Sequence, residues 1–379
     1  MKVKLGDIFE IGSGGTPVKS HPEYYNGDIP WVKTGDLKSE YLFEVEDFIT
    51  EKGLENSSAK MYEKDTVLIA MYGATIGATS ILKMSACTNQ ACAAFKKNEK
   101  VIPEYLYYFL KSKKEKFVKD GVGGAQPNIS VGYLKKTEME LLLLKEQRKI
   151  VDILDRISEM VLKRNQEIQL LDDLIKARFV EMFGDVQHEE KYKGIPLRNL
   201  CTTMSGGTPS TKFSEYYEGD IPWISTVSLG PNHINGSTAK GYITQEAIEN
   251  SATKLIPAGN ILFGTRVGVG KSSLNDVDIC TNQDIVAIIG IDESRFKRLF
   301  IKYVLDAYQP YYDSIKKGAT ILGITGDDLK DTLIPDVPLS IQMEFELFVE
   351  QVDKSKVAVQ KALDETQMLF DSLMQKYFM

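Results

Sequence analysis

The feature that most narrows what this chain can fold into is a phrase it spells twice. "EYYNGDIPW" occupies positions 23 to 31 and "EYYEGDIPW" positions 215 to 223. "SGGTP" at 13 to 17 returns at 205 to 209 with the same shift of 192, and "CTNQ" at 87 to 90 returns at 280 to 283, shifted by 193. Between these landmarks "GATIG" (73 to 77) lies over "GTRVG" (264 to 268), which sets Ala74 and Thr75 against Thr265 and Arg266; ahead of them Leu5 and Ile8 lie over Leu197 and Leu200. Collinear matches of this kind define a duplicated domain. Two copies at a period near 190 are not a solenoid, whose repeats run roughly 20 to 50 residues.

Within each copy the first part reads as short strands and turns. "SGGTP" supplies glycines for unusual dihedrals, "NGD" and "EGD" are turn signals, and "TVLIAMYG" and "NILFGTRVG" are apolar runs of strand length. An aromatic and basic helical stretch follows in each, "PEYLYYFLKSKKEKFVKD" and "RFKRLFIKYVLDAYQPYYDSIKK", its extent limited by Pro103 and Pro310. The expected class is therefore α+β, built as two duplicated globular domains.

Each copy closes with a long amphipathic helix. Apolar side chains recur at Ile150, Leu154, Ile157, Val161, Ile168, Leu171, Ile175 and Met182, and again at Phe345, Val349, Val352, Val359, Leu363, Phe370, Leu373 and Tyr377. Spacings of three, four and seven predict a coiled-coil seam, with Arg164, Lys356 and Thr366 as polar breaks that fix its register. A helix over about 147 to 183 is roughly 55 Å long, whereas the connection from Gly184 to Pro196 spans at most about 45 Å. The chain cannot run back the full length of the helix, so antiparallel pairing is expected, with the two domains related by a pseudo-two-fold axis. The division predicted along the chain is 1–145 and 185–338 for the domains, with 146–184 and 339–379 for the helices. Two readers held apart by a spacer suit half-sites on duplex DNA, which has two-fold axes of its own.

Composition sets bounds on function. The chain has 379 residues, 43% hydrophobic and 26% charged, enough for two domains with real cores. The start "MKVKLGDIFEIGSGG" lacks the apolar stretch of a signal peptide, and no apolar run approaches the roughly 20 residues of a membrane span, which predicts a cytoplasmic protein with no membrane partner. A formal net charge of −7 argues against indiscriminate coating of nucleic acid while leaving room for a local basic face. Four cysteines, the nearest pair spaced as "CTNQAC", suggest neither a disulfide framework nor a zinc site, and His21, His188 and His233 are scattered. "GVGKSS" at 268 to 273 imitates a nucleotide-binding loop, but Gly264 to Gly270 leaves five intervening residues instead of four and copy one has no lysine there. No hydrolase, zinc-protease or "NPPY"-like methyltransferase motif occurs, so the reading is a non-catalytic chain with no cofactor and no metal.

In its "SGGTP" with "GDIPW" twice, "TNQ" twice, and a long helix after each domain, introduced at the first by "KEQRKIVDIL", the chain resembles the specificity subunits of type I restriction-modification enzymes. The resemblance covers the full chain. It implies two target-recognition domains that read the two parts of a split DNA sequence, and a coiled coil that docks two methyltransferase (modification) subunits. Motor-nuclease (restriction) subunits join that complex, whose partners methylate adenine or cleave. Two departures stand out. The proline usual before the first helix is missing from "ELLLLKEQ", and "PLSIQMEF" lacks the Glu-Gln pair.

Duplication sorts residues without an alignment, because what both copies keep serves scaffold and phosphate positioning, and what differs in loops reads bases. Candidate phosphate contacts are Ser13, Gly14, Gly15 and Thr16 with Ser205, Gly206, Gly207 and Thr208, whose backbone amides suit an anion. Lys111, Lys113 and Lys114, in a run that continues to Lys116, Lys119, Lys135 and Lys136, and Lys316 with Lys317 in copy two join them. Candidate base readers are Lys33, Thr34 and Lys38 facing Ser225 and Thr226 after the tryptophan, and Tyr72, Thr75, Arg266 and Lys271 in the glycine loops. An arginine there reaches guanine O6 and N7 in the major groove. Trp31 and Trp223, shared by both copies, read as core anchors. The competing class is a protein-interaction scaffold in which duplicated domains bind peptides at the ends of a helical rod.

Overall fold

The computed structural model describes residues 1–121, 128–187, 191–318 and 320–379. Its backbone divides into two compact units, one formed by Met1–Gln166 with Gln360–Met379, the other by Glu167–Val359. The units repeat one architecture. In the first, a five-stranded sheet runs in the order Ile11–Ser13, Cys92–Phe95, Val67–Ala70, Thr79–Leu82, Tyr41–Leu42; in the second, Thr202–Ser205, Ile285–Ile289, Ile261–Gly264, Ser272–Asn275 and His233–Ile234 take the same places. A smaller sheet in each holds the "GDIPW" strand. Trp31 pairs with Cys87 and Trp223 with Cys280, both in parallel register, which is why "GDIPW" and "CTNQ" travel together in the sequence.

The aromatic stretch of each copy is broken into two helices, Pro103–Ser112 then Lys114–Asp120, and Arg298–Ala307 then Gln309–Ile315. Pro103 and Pro310 fall in first turns, where a missing N–H costs nothing. These helices cover the five-stranded sheets, burying Tyr105, Tyr108 and Phe109 in one unit and Phe300, Ile301 and Tyr303 in the other.

The long helices are Leu144–Phe183 and Leu339–Phe378, and each contributes residues to both units. Each compact unit therefore takes part of both long helices, whose residues complete its core. Ile150, Leu154 and Ile157 share a core with Phe370, Met374 and Phe378 in the first unit, and Ile175, Phe179 and Phe183 share one with Phe345, Val349 and Val352 in the second. Within each unit the pairing is antiparallel, the direction inferred from the short connection. In the first unit the Arg164 guanidinium donates to the carbonyl of Ala362, which also accepts the Thr366 hydroxyl at 2.7 Å. In the second, Lys356 meets Asp172 at 2.6 Å and Arg178 meets Glu344 at 2.9 Å. The expected polar breaks are thus the register contacts. Between the aromatic ends the seam thins, with Val161, Ile168, Leu171, Val359 and Leu363 only half-buried.

One expected departure disappears in three dimensions. Gln147 accepts from the Ile102 amide at 2.9 Å and donates to the carbonyls of Lys100 and Leu142, both at 2.9 Å. Gln342 in "SIQMEF" does the same, accepting from Lys297 at 2.8 Å and donating to Arg295 at 3.1 Å and Val337 at 2.7 Å. Only the glutamate of the pair is replaced. The buried glutamine that ties each helix start to its domain is kept in both copies.

Candidate nucleic-acid interface

The shared motifs converge on one clasp per unit. The indole of Trp31 donates to the Gly15 carbonyl at 3.1 Å and that of Trp223 to Gly207 at 3.1 Å. Two residues after the glutamate of the nonapeptide, Tyr25 donates to the Pro17 carbonyl at 2.5 Å and Tyr217 to Pro209 at 2.7 Å, each ring set edge-on to its tryptophan at about 6 Å. The repeated phrase is awkward because its tyrosine and tryptophan jointly grip "SGGTP". From the other side "TNQ" completes the clasp, with the Gly15 amide on Thr88 at 2.9 Å and the Gly207 amide on Thr281 at 2.8 Å.

These bonds correct the reading of "SGGTP" as an amide cradle for phosphate. The amides of Gly15, Gly206 and Gly207 are engaged by backbone carbonyls, and Gly14, Gly15, Gly206 and Gly207 are all buried. Nor do unusual dihedrals explain these glycines, since none has a positive φ. Close approach does: a Cβ on Gly14 would lie 1.8 Å from the Thr88 carbonyl oxygen, and one on Gly207 would lie 2.4 Å from the Thr253 amide. What the motif does expose is side chains. Thr16 donates to Gln90, and Thr208 donates to Gln283 at 2.5 Å, with both glutamines on the surface. Gln90 and Gln283, the last residues of the repeated "TNQ", join the candidate surface although neither composition nor charge singles them out. Ser13 and Ser205 end the strands that lead into the motif.

The hydrogen bonds also re-register the glycine loops. The amides of Met71 and Thr265 donate to the carbonyls of Ala91 and Asp284, each at 2.8 Å, while their own carbonyls accept from Ile129 at 3.0 Å and Ile324 at 2.8 Å. Gly77 and Gly270 donate back to Ala70 and Gly264, and both have positive φ. Tyr72, not Thr75, is therefore the counterpart of Arg266; the loop of copy two is one residue shorter, which a glycine-over-glycine alignment hides. Thr75 instead donates to the Tyr72 carbonyl at 3.1 Å. Tyr72 is 43% exposed and Arg266 55%, the latter 3.7 Å from Asp284. Lys271 is exposed in the same loop as Arg266, its chain laid over Gly268.

After the tryptophans the outcome is mixed. Ser225 and Thr226 are buried, which removes them from any direct contact with bases. The short turns Thr34–Asp36 and Thr226–Ser228 instead present their middle residues, Gly35 in one and Val227, 76% exposed, in the other. Lys33 is held 2.6 Å from Asp47, while Thr34 is half-buried and Lys38 exposed.

The lysines separate as well. Lys111 lies over the rings of Tyr107 and Phe370 at 5.4 and 5.5 Å, and desolvation there pushes its pKa down. Lys113 donates to the Phe378 carbonyl at 2.5 Å. Both reach toward the C-terminal helix segment of their own unit, Lys111 while exposed and Lys113 while half-buried. Lys114 packs its stem on Gly77, so it stands at the glycine loop, as Gln309 does against Gly270. Lys116, Lys119, Lys135, Lys136 and Lys317 are exposed, whereas Lys316 is paired with Asp313. Among the described residues no group of histidine, cysteine and carboxylate side chains is arranged to hold a metal, and no helix is long and apolar enough to cross a membrane. His188 lies outside the described residues.

The family model of the type I restriction modification DNA specificity domain matches residues 1–171 and again 189–366. The chain belongs to that family. It is similar to the type I restriction enzyme MjaIX specificity subunit of Methanocaldococcus jannaschii, 25% identical over 98% of this chain and 91% of the relative. The EcoR124I/EcoR124II specificity subunit of Escherichia coli is 27% identical over 41% of this chain and 40% of its own. Among solved structures, a chain from a study of complex assembly and conformational transition in a type I R-M system superposes over 100% of this chain and 97% of its own, with a TM-score of 0.63 at 19% identity. The S subunit from M. genitalium does so over 100% and 96%, with a TM-score of 0.54 at 15% identity. This chain is thus a non-catalytic specificity subunit of a type I restriction-modification system, carrying two target-recognition domains.

Proposed function

We propose that each domain of this chain, 1–145 and 185–338, reads one half of a bipartite target on double-stranded DNA. On this reading the two long helices, 146–184 and 339–379, hold the readers in register and seat two modification subunits, which methylate adenine, while restriction subunits cleave. The observation that carries it is the contrast between copies. The clasp of tryptophan, tyrosine, "SGGTP" and "TNQ" is the same in both, yet the exposed positions it supports differ: Tyr72 against Arg266, Gly35 against Val227. A common frame with divergent tips is what two different half-sites require. Shared surface side chains, above all Gln90 and Gln283, and the exposed lysines beside the loops are then phosphate contacts.

Methylome sequencing of cells carrying this chain with its modification subunits tests the reading. A split methylated motif is the expected result, and its absence refutes the reading. A peptide-binding scaffold is distinguished by salt, since DNA affinity falls by about 0.9 log unit per log unit of salt for each phosphate neutralised.

A further inference from the structure

We infer that Arg266 and Asp284 form one guanine-reading unit peculiar to the second domain, with Asp284 as its positioning residue and Gly323 as the space that admits it. The inference rests on the bipartite reading above and deepens it at one base pair. Three positions change together between the copies. Where the second has Arg266, Asp284 and Gly323, the first has Tyr72, Ala91 and Asn128, matched residue for residue by the backbone hydrogen bonds of Met71 with Ala91 and Ile129, and of Thr265 with Asp284 and Ile324.

The geometry gives each member a task. Asp284 is mostly buried and doubly held by the "TNQ" asparagine: Asn282 donates its side-chain amide to one carboxylate oxygen at 3.2 Å, and the Asp284 amide donates to Asn282 Oδ1 at 3.3 Å. The other oxygen, Oδ1, is 3.7 Å from Nη1 of Arg266. The Thr265 hydroxyl, adjacent to the arginine, also donates to the Asp284 carbonyl at 3.1 Å. The carboxylate is thus fixed before any ligand arrives and can orient the guanidinium, whose long chain otherwise samples many rotamers. A Cβ on Gly323 would stand 2.9 Å from Cγ of Arg266, so a side chain there, as Asn128 supplies in the first domain, would force the arginine stem to shift. A restrained, half-exposed guanidinium with donors in a planar fork matches the O6 and N7 acceptors of guanine. In the first domain Tyr72 offers a ring at the same point with no carboxylate behind it, so its half-site is read there by other chemistry.

The test is selection of bound sequences from a pool of randomised DNA duplexes by the full-length chain with its modification subunits, at one salt concentration. If the wild-type chain enriches no sequence, the bipartite reading itself fails. If it enriches a split motif, the variants decide. Arg266→Ala is expected to lose guanine preference at one position of one half-site, a change of roughly 5- to 150-fold, with the other half unaltered. Asp284→Ala should lower the preference at that same position with the melting temperature unchanged, and Asp284→Glu should restore part of it. An unchanged profile for Asp284→Ala, or equal tightening on all sequences, would mean that the carboxylate merely masks charge, and overturns the assignment. Should Asp284→Ala not fold, grafting Tyr72→Arg, Ala91→Asp and Asn128→Gly into the first domain decides instead. A guanine newly required at one position of the other half-site supports the unit, and an unaltered motif overturns it.

Discussion

Trp31 and Trp223 are 5% and 8% exposed, and each places its only polar atom on a glycine carbonyl of the segment it packs against. Trp223→Ala should therefore destabilise its unit by about 3 to 5 kcal/mol, read by thermal melting, and leave the base preference of any surviving protein intact. Gly207→Ala tests the same clasp from the opposite side, since its methyl would meet the Thr253 amide at 2.4 Å; loss of soluble protein is expected. The burial of the tryptophans was legible because both copies keep them. The role of the glycines was legible only as a need for glycine, since close approach and left-handed φ leave the same mark in a sequence. Tyr72 and Arg266 show a different limit. Their equivalence depends on a one-residue deletion between glycines, and hydrogen bonds to distant strands reveal it where letter matching cannot.

For single elements, the helices were the clearest part of the sequence, since seven-residue periodicity needs no partner to be seen. The ends of their seams were less so. Phe179, Phe183, Met374 and Phe378 are buried because each unit's own aromatic helix supplies a second surface, and that surface is invisible to a count along one helix. Gln147 and Gln342 are the sharpest instance of function hidden in a polar letter. Each is fully buried and satisfies one amide and two carbonyls. Replacing either by leucine strands those groups without water, at about 1 to 3 kcal/mol for each one left unpaired. Gln147→Leu and Gln342→Leu are expected to lower the melting temperature far more than Lys356→Met, whose partly exposed pair with Asp172 contributes about 1 kcal/mol or less.

For the whole molecule, the decisive question is whether the two copies act independently, and the fold sets how that is asked. Exchanging residues 190 to 338 for the second domain of another family member replaces the clasp, the tip with Arg266 and the aromatic helix, yet keeps both long helices. Such a chimera must still bury Phe179, Phe183 and Phe345, which in this chain pack on Phe300 and Tyr303. A donor that presents rings of similar size at those two places is expected to fold and to change one half of the methylated motif while the other half stays as it was; a change in both halves would show that the domains do not read separately. On the proposed reading the helices set the gap between half-sites, so it should survive the exchange. It should respond instead to four residues inserted at Gln166 alone. That insertion adds about 6 Å and turns the helix by somewhat more than one full turn, which separates the Arg164 contact with Ala362 from the Lys356 contact with Asp172 by an extra turn on one helix only. Methylome sequencing then reads either a longer gap or no methylation. An unaltered motif at full activity would mean that the helices do not set the spacing.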